Sequence, residues 1–228
     1  FTRWVYGKLN ALHVTPGPFS IFRKSIFQEI GYFKHAHNTE DMEIACRIQS
    51  HGFKITNCPT ALVYTITPNT LKKLHVQRVR WTYGFFRNII DYKHLFFNPK
   101  YGNVALLTLP FGVIAVTAAL YIFGNLLYYT GQNIYEHVYR WSIVGIKIHP
   151  LSFSFDWFYI NTNMYGVLAI TVVTIALFSL LMGRKIATGK ISISMDIVYF
   201  LCLYGFIAPV WLGKSVYNVV LAKKTPWR

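Results

Sequence analysis

The pattern of apolar and polar positions divides the chain into two parts. Residues 1–100 alternate between short apolar runs and polar segments. The remainder contains three long stretches without a charged residue, at 101–135, 157–183 and 197–213. A helix needs about 20 apolar residues to cross the hydrocarbon core of a bilayer, so the first two stretches are long enough and the third is borderline.

These stretches predict two to three membrane spans. We place the first near residues 104–127 and the second at about 164–183, and we expect the third to begin near Asp196. The third is either a full span or a re-entrant or interfacial segment. Between the first two spans we predict a hydrated loop at 130–160, which carries charged residues and the aromatic residues typical of a membrane interface.

Three short runs in the first part predict β-strands. They lie at 19–22, 53–55 and 61–64 and combine aromatic or aliphatic residues with neighbouring turn residues. The segment Thr15-Pro16-Gly17-Pro18 is a loop signal.

Helices are predicted between and after these strands. A short helix begins with Ser25 as its cap and ends at Gly31. A helical period begins at Thr39 and ends at Gly52, a residue type that closes many helices. A longer helix covers about residues 71–94.

Composition and charge support a membrane protein. The 228 residues are 54% hydrophobic, 18% aromatic and only 14% charged, which is more apolar than an average soluble domain. The formal net charge of +15 would suggest nucleic acid in a soluble protein; beside apolar spans it fits an anionic leaflet and phosphate-bearing substrates. We therefore expect a lipid bilayer as a partner and no nucleic acid. The cysteines show neither metal nor disulfide spacing.

Two polar motifs are candidates for chemistry. The first is Thr39-Glu40-Asp41, at the start of a predicted helix. A carboxylate there is favoured in its charged form by the helix dipole and can accept a proton. Acidic residues that follow a threonine are also ordinary at a helix start, so this motif alone does not decide between the two interpretations.

The second motif is Gln77-Arg78-Val79-Arg80-Trp81. If residues 71–94 are helical, four residues share one face: Gln77, Arg80, Trp81 and Gly84. Arg78 is expected to point elsewhere. An arginine fork suits a diphosphate, and a tryptophan face can stack on a sugar ring. The alternative is a basic amphipathic helix on the membrane, with Trp81 as an interfacial anchor.

With both motifs in place, the chain resembles the processive branch of family-2 glycosyltransferases, the membrane synthases of cellulose, hyaluronan and poly-N-acetylglucosamine. Their motifs are T-E-D and Q-x-x-R-W. Similar segments elsewhere are Gly17-Pro18-Phe19 with Phe22-Arg23, Gly31-Tyr32-Phe33, and Pro59-Thr60-Ala61 with Pro68-Asn69-Thr70. Pro18 and Tyr32 depart from the commonest family residues, which leaves the acceptor subtype open.

The resemblance implies roles for particular residues. It makes Asp41 the catalytic base. It also places Arg80 and Gln77 near the donor diphosphate and Trp81 under the acceptor sugar. The full set of residues expected to bind substrate is Thr39, Glu40, Gly17, Gln77, Arg80 and Trp81. For Gly17 the alternative is an ordinary tight turn.

The implied fold is α/β followed by helical spans. Residues 1–70 would be the C-terminal part of a GT-A nucleotide-sugar transferase domain. Residues 71–100 would form amphipathic interface helices with Q-x-x-R-W, and residues 101–228 a transmembrane region of two to three helices. The donor-binding half with its D-x-D motif would precede Phe1, so this stretch alone is expected to be inactive. A divalent metal, Mg or Mn, is implied, with its protein ligands outside this sequence.

The sequence thus predicts a membrane-embedded inverting glycosyltransferase. It would move a sugar from a nucleotide-sugar donor to a growing polysaccharide. The alternatives are a non-processive transferase that glycosylates a lipid, a non-catalytic conduit subunit of a synthase complex and, last, a small basic transporter.

We expect an integral protein of the plasma or inner membrane with a cytoplasmic catalytic part. Arg184, Lys185 and Lys190 would then lie inside, as the positive-inside rule favours. A full third span would place the basic C-terminal tail outside, against that rule.

Overall fold

The computed structural model describes residues 1–61, 63–145 and 164–223. Within them the chain is helical, and the helices are α1 Thr2–Lys8, α2 Lys24–Ile30, α3 Glu40–Ser50, α4 Leu71–Asp91, α5 Leu109–Val144, α6 Met164–Thr188 and α7 Met195–Val220. Two 3₁₀ turns, Lys93–Leu95 and Pro99–Tyr101, and a π turn, Val104–Thr108, connect α4 to α5.

The three predicted β-strands are wrong for the residues that are described. The runs 19–22 and 53–55 and the described part of 61–64 have no strand conformation. A strand forms only where a neighbour completes its backbone hydrogen bonds, and these runs have no such neighbour among the described residues. The α/β part of the predicted fold is therefore not confirmed.

The predicted helices of the first part are largely confirmed. Thr39 is the N-cap of α3. At the other end of α3, the Gly52 amide donates to the Gln49 carbonyl at 3.0 Å and the Phe53 amide donates to the Ile48 carbonyl at 3.1 Å. This closure requires the left-handed φ of +81° at Gly52, which a glycine adopts without steric cost. The predicted cap Ser25 is wrong, because the helix begins at Lys24 and Arg23 precedes it.

The first apolar helix is longer than the predicted span. Helix continues from Val104 through Val144, so the loop predicted at 130–160 is wrong for residues 130–144. That segment contains no proline, and Glu136 pairs with Arg140 one turn later at 3.7 Å. The rest of the predicted loop, 146–160, lies outside the described residues.

Among the described residues, three helices are long and apolar enough to cross a membrane, by length and composition. They are Val104–Val144, Gly166–Thr188 and Met195–Val220. The third begins where we predicted and runs unbroken through Pro209. The division into 1–70, 71–100 and 101–228 stays a prediction.

Helix α4 packs against α3 on one side and α7 on another. The face of α7 toward α4 includes the buried residues Trp211 and Ser215, and the Ser215 hydroxyl lies 3.2 Å from the Val79 carbonyl, to which it donates. Helix α5 approaches α4 closely, since a Cβ on Gly112 would lie 2.4 Å from the Phe85 ring. The amphipathic α4 therefore contacts α3, α5 and α7, although only four of its residues are buried: Val79, Tyr83, Gly84 and Asn88.

Candidate active site

The N-terminus of α3 carries the first motif. The Thr39 carbonyl accepts hydrogen bonds from the amides of Met42 and Glu43, both at 3.1 Å. The two residues before it, His37 and Asn38, have left-handed φ values of +46° and +63°. This motif therefore begins directly after a sharply turned backbone segment.

The Asp41 side chain is half-buried in the first turn of α3. Its Oδ1 accepts a hydrogen bond from the Met42 amide at 2.9 Å. Its backbone carbonyl accepts two more, from the Thr15 amide at 3.0 Å and the Thr15 hydroxyl at 2.9 Å. The loop that contains Thr15 and Gly17 thus adjoins this turn.

Burial raises the pKa of Asp41 above its ordinary value, and the neighbouring charge of Glu40 raises it further. The hydrogen bonds from backbone amides and the positive charge of Arg80 lower the pKa but do not cancel the first two effects. A carboxylate with a raised pKa is a stronger base. Arg80, on α4, is thus close enough to Asp41 for their charges to interact.

Helices α3 and α4 meet where Gly84 faces Thr39. A Cβ on Gly84 would lie 2.2 Å from both Cγ2 and Oγ1 of Thr39, so a larger residue would push the two helices apart. The Asn88 amide nitrogen donates to Thr39 Oγ1 and to the Gly84 carbonyl, each at 2.9 Å. The Thr39 hydroxyl is therefore engaged by α4 and makes no side-chain cap of its own helix.

A second group of polar contacts joins the same helices. The Tyr92 hydroxyl donates to Glu43 at 2.6 Å, and Glu43 pairs with Arg47 at 2.9 Å. Arg47 also donates to the carbonyls of Ile30 at 2.7 Å and Tyr32 at 3.0 Å. Burial and the bond to Glu43 raise the pKa of Tyr92. This ion pair fixes α3 to α4 and to the end of α2.

The other residues of the second motif lie on α4. Gln77 is half-buried, and Trp81 is 44% exposed. The Arg78 guanidinium lies 4.8 Å from the centroid of the Trp81 ring. The expectation that Arg78 points elsewhere is therefore wrong, because residues three apart on a helix are neighbours.

An open pocket of about 340 Å³ lies beside Glu40. Its other lining residues come from the preceding loop: Phe33, Lys34, His35, Ala36 and Asn38. Gly17 is exposed, and no atom lies within 4 Å of the position of an added Cβ. The fold does not require glycine there.

A metal site is not built from the described residues. No three side chains of His, Cys, Asp or Glu come together in the part of the chain that the structure describes. The implied Mg or Mn therefore lacks a ligand set among these residues.

Sequence reasoning missed Thr15, Asn88 and Tyr92. Asn88 follows Gly84 by one helical turn, so extending the shared face of α4 would have found it. The i,i+4 spacing of Glu43 and Arg47 was also visible in the sequence. No local signal indicated that Thr15 would contact Asp41.

A comparison with protein families identifies the family of the chain. The family described as "Glycosyl transferase family group 2" matches residues 2–212, and the chain belongs to that family.

Among curated proteins, the chain is similar to a poly-beta-1,6-N-acetyl-D-glucosamine synthase of Staphylococcus epidermidis, with 26% identity over 177 residues, which is 74% of this chain and 38% of that protein. It is also similar to the protein of that name from Staphylococcus aureus strain COL, with 33% identity over 75 residues, 33% of this chain and 18% of the relative. The chain thus spans less than two fifths of the length of these relatives. No solved structure matches it.

Proposed function

We propose that the protein is a membrane-embedded, inverting glycosyltransferase that extends a polysaccharide from a nucleotide-sugar donor, with Asp41 as its base. The observation that carries this is the packing of α3 on α4 in a family-2 chain. It brings a carboxylate of raised pKa within electrostatic reach of Arg80. A base and a cation that can stabilise a leaving diphosphate are the two groups that this reaction needs.

The proposed step is a single displacement. The acceptor hydroxyl oxygen bonds to the anomeric carbon, while the bond from that carbon to the donor diphosphate breaks. Asp41 takes the hydroxyl proton, and the nucleoside diphosphate leaves with the bonding electrons. Attack from the face opposite to the leaving group inverts the configuration.

The remaining motif residues bind the substrates in this proposal. Arg80 and Gln77 hold the diphosphate, because a guanidinium makes bidentate, charge-assisted hydrogen bonds to phosphate oxygens. Trp81, which is 44% exposed, binds the acceptor sugar in this proposal. Glu40 lines a pocket whose volume of about 340 Å³ falls at the lower end of small-molecule sites, which supports a contact with one sugar unit. Thr39 and Gly17 are predicted to contact the acceptor.

We further propose that the sugar is N-acetylglucosamine and that the catalytic part faces the cytoplasm. The sugar rests on the names of the similar proteins. The orientation rests on Arg184, Lys185 and Lys190, which lie at or just beyond the end of α6.

Nucleotide release by the full-length protein in lipid vesicles tests the function. The protein would be offered a panel of UDP- and GDP-sugars with a divalent metal, beside the variant Asp41→Asn. We expect release with one sugar, and loss of it by a factor of at least about 100 in Asp41→Asn, since a missing general base typically costs that much. Release that persists in the variant would refute the role of Asp41.

Product size then separates the alternatives. Polymer indicates a synthase, and a single glycolipid indicates a lipid-glycosylating transferase. No release with any sugar from a folded protein would favour the conduit subunit.

A further inference from the structure

We propose that Asn88 is a positioning residue for Asp41: with its neighbours on α4 it fixes the first turn of α3 and thereby the direction of the Asp41 carboxylate. This inference rests on the proposed function of Asp41. The Asn88 amide nitrogen donates to Thr39 Oγ1 and to the Gly84 carbonyl, and in this proposal Asn88 acts through Thr39.

One stripe of α4 contacts the segment just before Asp41. Gly84, Asn88 and Asp91 follow each other by four and three residues and so lie on one helical face. Gly84 allows the close approach of Thr39, Asn88 donates to the Thr39 hydroxyl at 2.9 Å, and Asp91 lies 2.8 Å from the His37 ring. We call Gly84, Asn88 and Asp91 the α4 clamp.

The segment that the clamp holds is strained. His37 and Asn38 both have positive φ, a region that residues other than glycine rarely adopt. Such a conformation persists only where the surroundings enforce it. The hydrogen bonds of Asn88 with Thr39 and of Asp91 with His37 help to enforce this conformation. Their loss should therefore let the segment relax.

Relaxation would move Asp41. The Thr39 carbonyl begins the hydrogen bonds of α3, and Asp41 comes two residues later with its Oδ1 bonded to the Met42 amide. A rotation of residues 37–39 would therefore change the burial of the Asp41 carboxylate and its distance from Arg80. Both affect how well it can remove a proton.

Stability alone does not account for asparagine at this position. Asn88 is 1% exposed, and its amide nitrogen makes both of its hydrogen bonds to the site-forming residues. Its Oδ1, however, is buried without a hydrogen-bond partner among the described residues. A buried amide oxygen without a partner lowers stability, so the donor function of the side chain is what the arrangement uses.

The test compares Asn88→Ala with Ser215→Ala in full-length protein in lipid. Each variant removes one buried hydrogen-bond donor at a contact of α4. Asn88 lies on α4 and donates to Thr39, whereas Ser215 lies on α7 and donates to the Val79 carbonyl on the opposite side of α4. The measurements are kcat and donor KM for nucleotide release, the pH dependence of kcat, and thermal unfolding.

For Asn88→Ala we expect kcat to fall about tenfold or more, because a small misplacement of a reacting group is costly. Donor KM should change little. The acidic limb of the pH profile should move to lower pH, since relaxation exposes Asp41 and weakens the burial that raises its pKa. Ser215→Ala should lower only the unfolding temperature.

Unchanged kcat and an unchanged acidic limb in folded Asn88→Ala would overturn the proposal, whatever the unfolding temperature. If Asn88→Ala does not fold, Asp91→Ala decides, since it removes the contact of this exposed residue with His37 in the same segment. A smaller fall in kcat, with a shift of the acidic limb to lower pH, supports the proposal. A kcat and an acidic limb equal to those of the wild-type protein overturn it.

Hydrogen exchange distinguishes a failure of this inference from a failure of the proposed function. In Asn88→Ala the amides of Met42 and Glu43 should exchange faster, while those of residues 46–49 keep their protection. If even the wild-type protein releases no nucleotide, the proposed function fails and catalytic positioning fails with it. If the wild-type protein is active and exchange at these two amides is unchanged in the variant, only the inference fails.

Discussion

At the scale of single residues, the environment of Asp41 is a balance of opposing effects. Burial and Glu40 raise its pKa, whereas two backbone amides and Arg80 lower it. The result is a carboxylate that is a stronger base than a free one yet stays near a cation. In the reaction that we propose, Asp41 takes the acceptor proton while Arg80 stabilises the leaving diphosphate.

The charge of Glu40 should therefore be visible in the pH profile. Glu40 raises the pKa of Asp41, so Glu40→Gln should lower that pKa. Because Asp41 acts as a base only when it is deprotonated, the acidic limb of kcat should move to lower pH. Turnover rates between pH 4 and 8 would measure this.

The matched control is Glu29→Gln, which removes an exposed carboxylate on α2 that has no such influence on Asp41. Equal profiles for Glu40→Gln and Glu29→Gln would contradict the electrostatic account.

At the scale of elements, the site depends on how closely α3 and α4 approach. Thr39 occupies the space that a side chain at position 84 would need. The Tyr92–Glu43–Arg47 contacts fix the same pair of helices further along. Sequence motifs on two separate helices therefore become one site through a glycine and a few buried polar contacts.

Gly84→Ala should separate these helices. The added methyl would lie 2.2 Å from Thr39, so we expect a loss of roughly 1–3 kcal/mol of stability and a marked fall in turnover. Thermal unfolding and nucleotide release would measure the two effects. Gly205→Ala is the matched control, since Gly205 is also helical but has no atom within 4 Å of an added Cβ. A Gly84→Ala protein as stable as Gly205→Ala would show that this approach is not tight.

At the scale of the whole molecule, an apolar helix is joined to the candidate site. Helix α7 is long and apolar enough to cross a membrane, and it packs along α4, which carries Arg80 and Trp81. The buried Trp211 and Ser215 lie in this contact. Loss of a large buried side chain of α7 should therefore reach the site without touching it, whereas loss of the single Ser215 hydroxyl should not.

Trp211→Ala tests this connection. Trp211 is 3% exposed, and deleting a buried tryptophan side chain should cost on the order of 3 kcal/mol of stability and reduce turnover as α4 loses support. Unfolding temperature and nucleotide release in lipid would be measured together. Trp141→Ala, at a position that is 49% exposed on α5, should change neither. Full turnover in folded Trp211→Ala would show that α7 does not support the site.

The sequence by itself determined the features that local chemistry controls. The uncharged stretches predicted the apolar helices, because crossing a bilayer demands length and apolarity and little else. Thr39 and Gly52 marked the two ends of α3, because residues that begin and end helices leave local signals in the sequence. The Thr39 hydroxyl itself accepts from Asn88 on α4 and makes no side-chain cap. The motifs at 39–41 and 77–81 indicated the family, which the match over residues 2–212 confirms.

Only the tertiary structure decided how these elements meet. Strand predictions at 19–22 and 53–55 failed because pairing depends on a distant partner, which a local pattern does not contain. The contacts of Asn88 with Thr39 and of Thr15 with Asp41 join residues far apart in the chain. Helical spacing could place Asn88 on the face of Gly84, but no spacing rule says which distant residue that face meets. The raised pKa of Asp41 likewise follows from burial, a property that exists only once α3 and α4 have packed together.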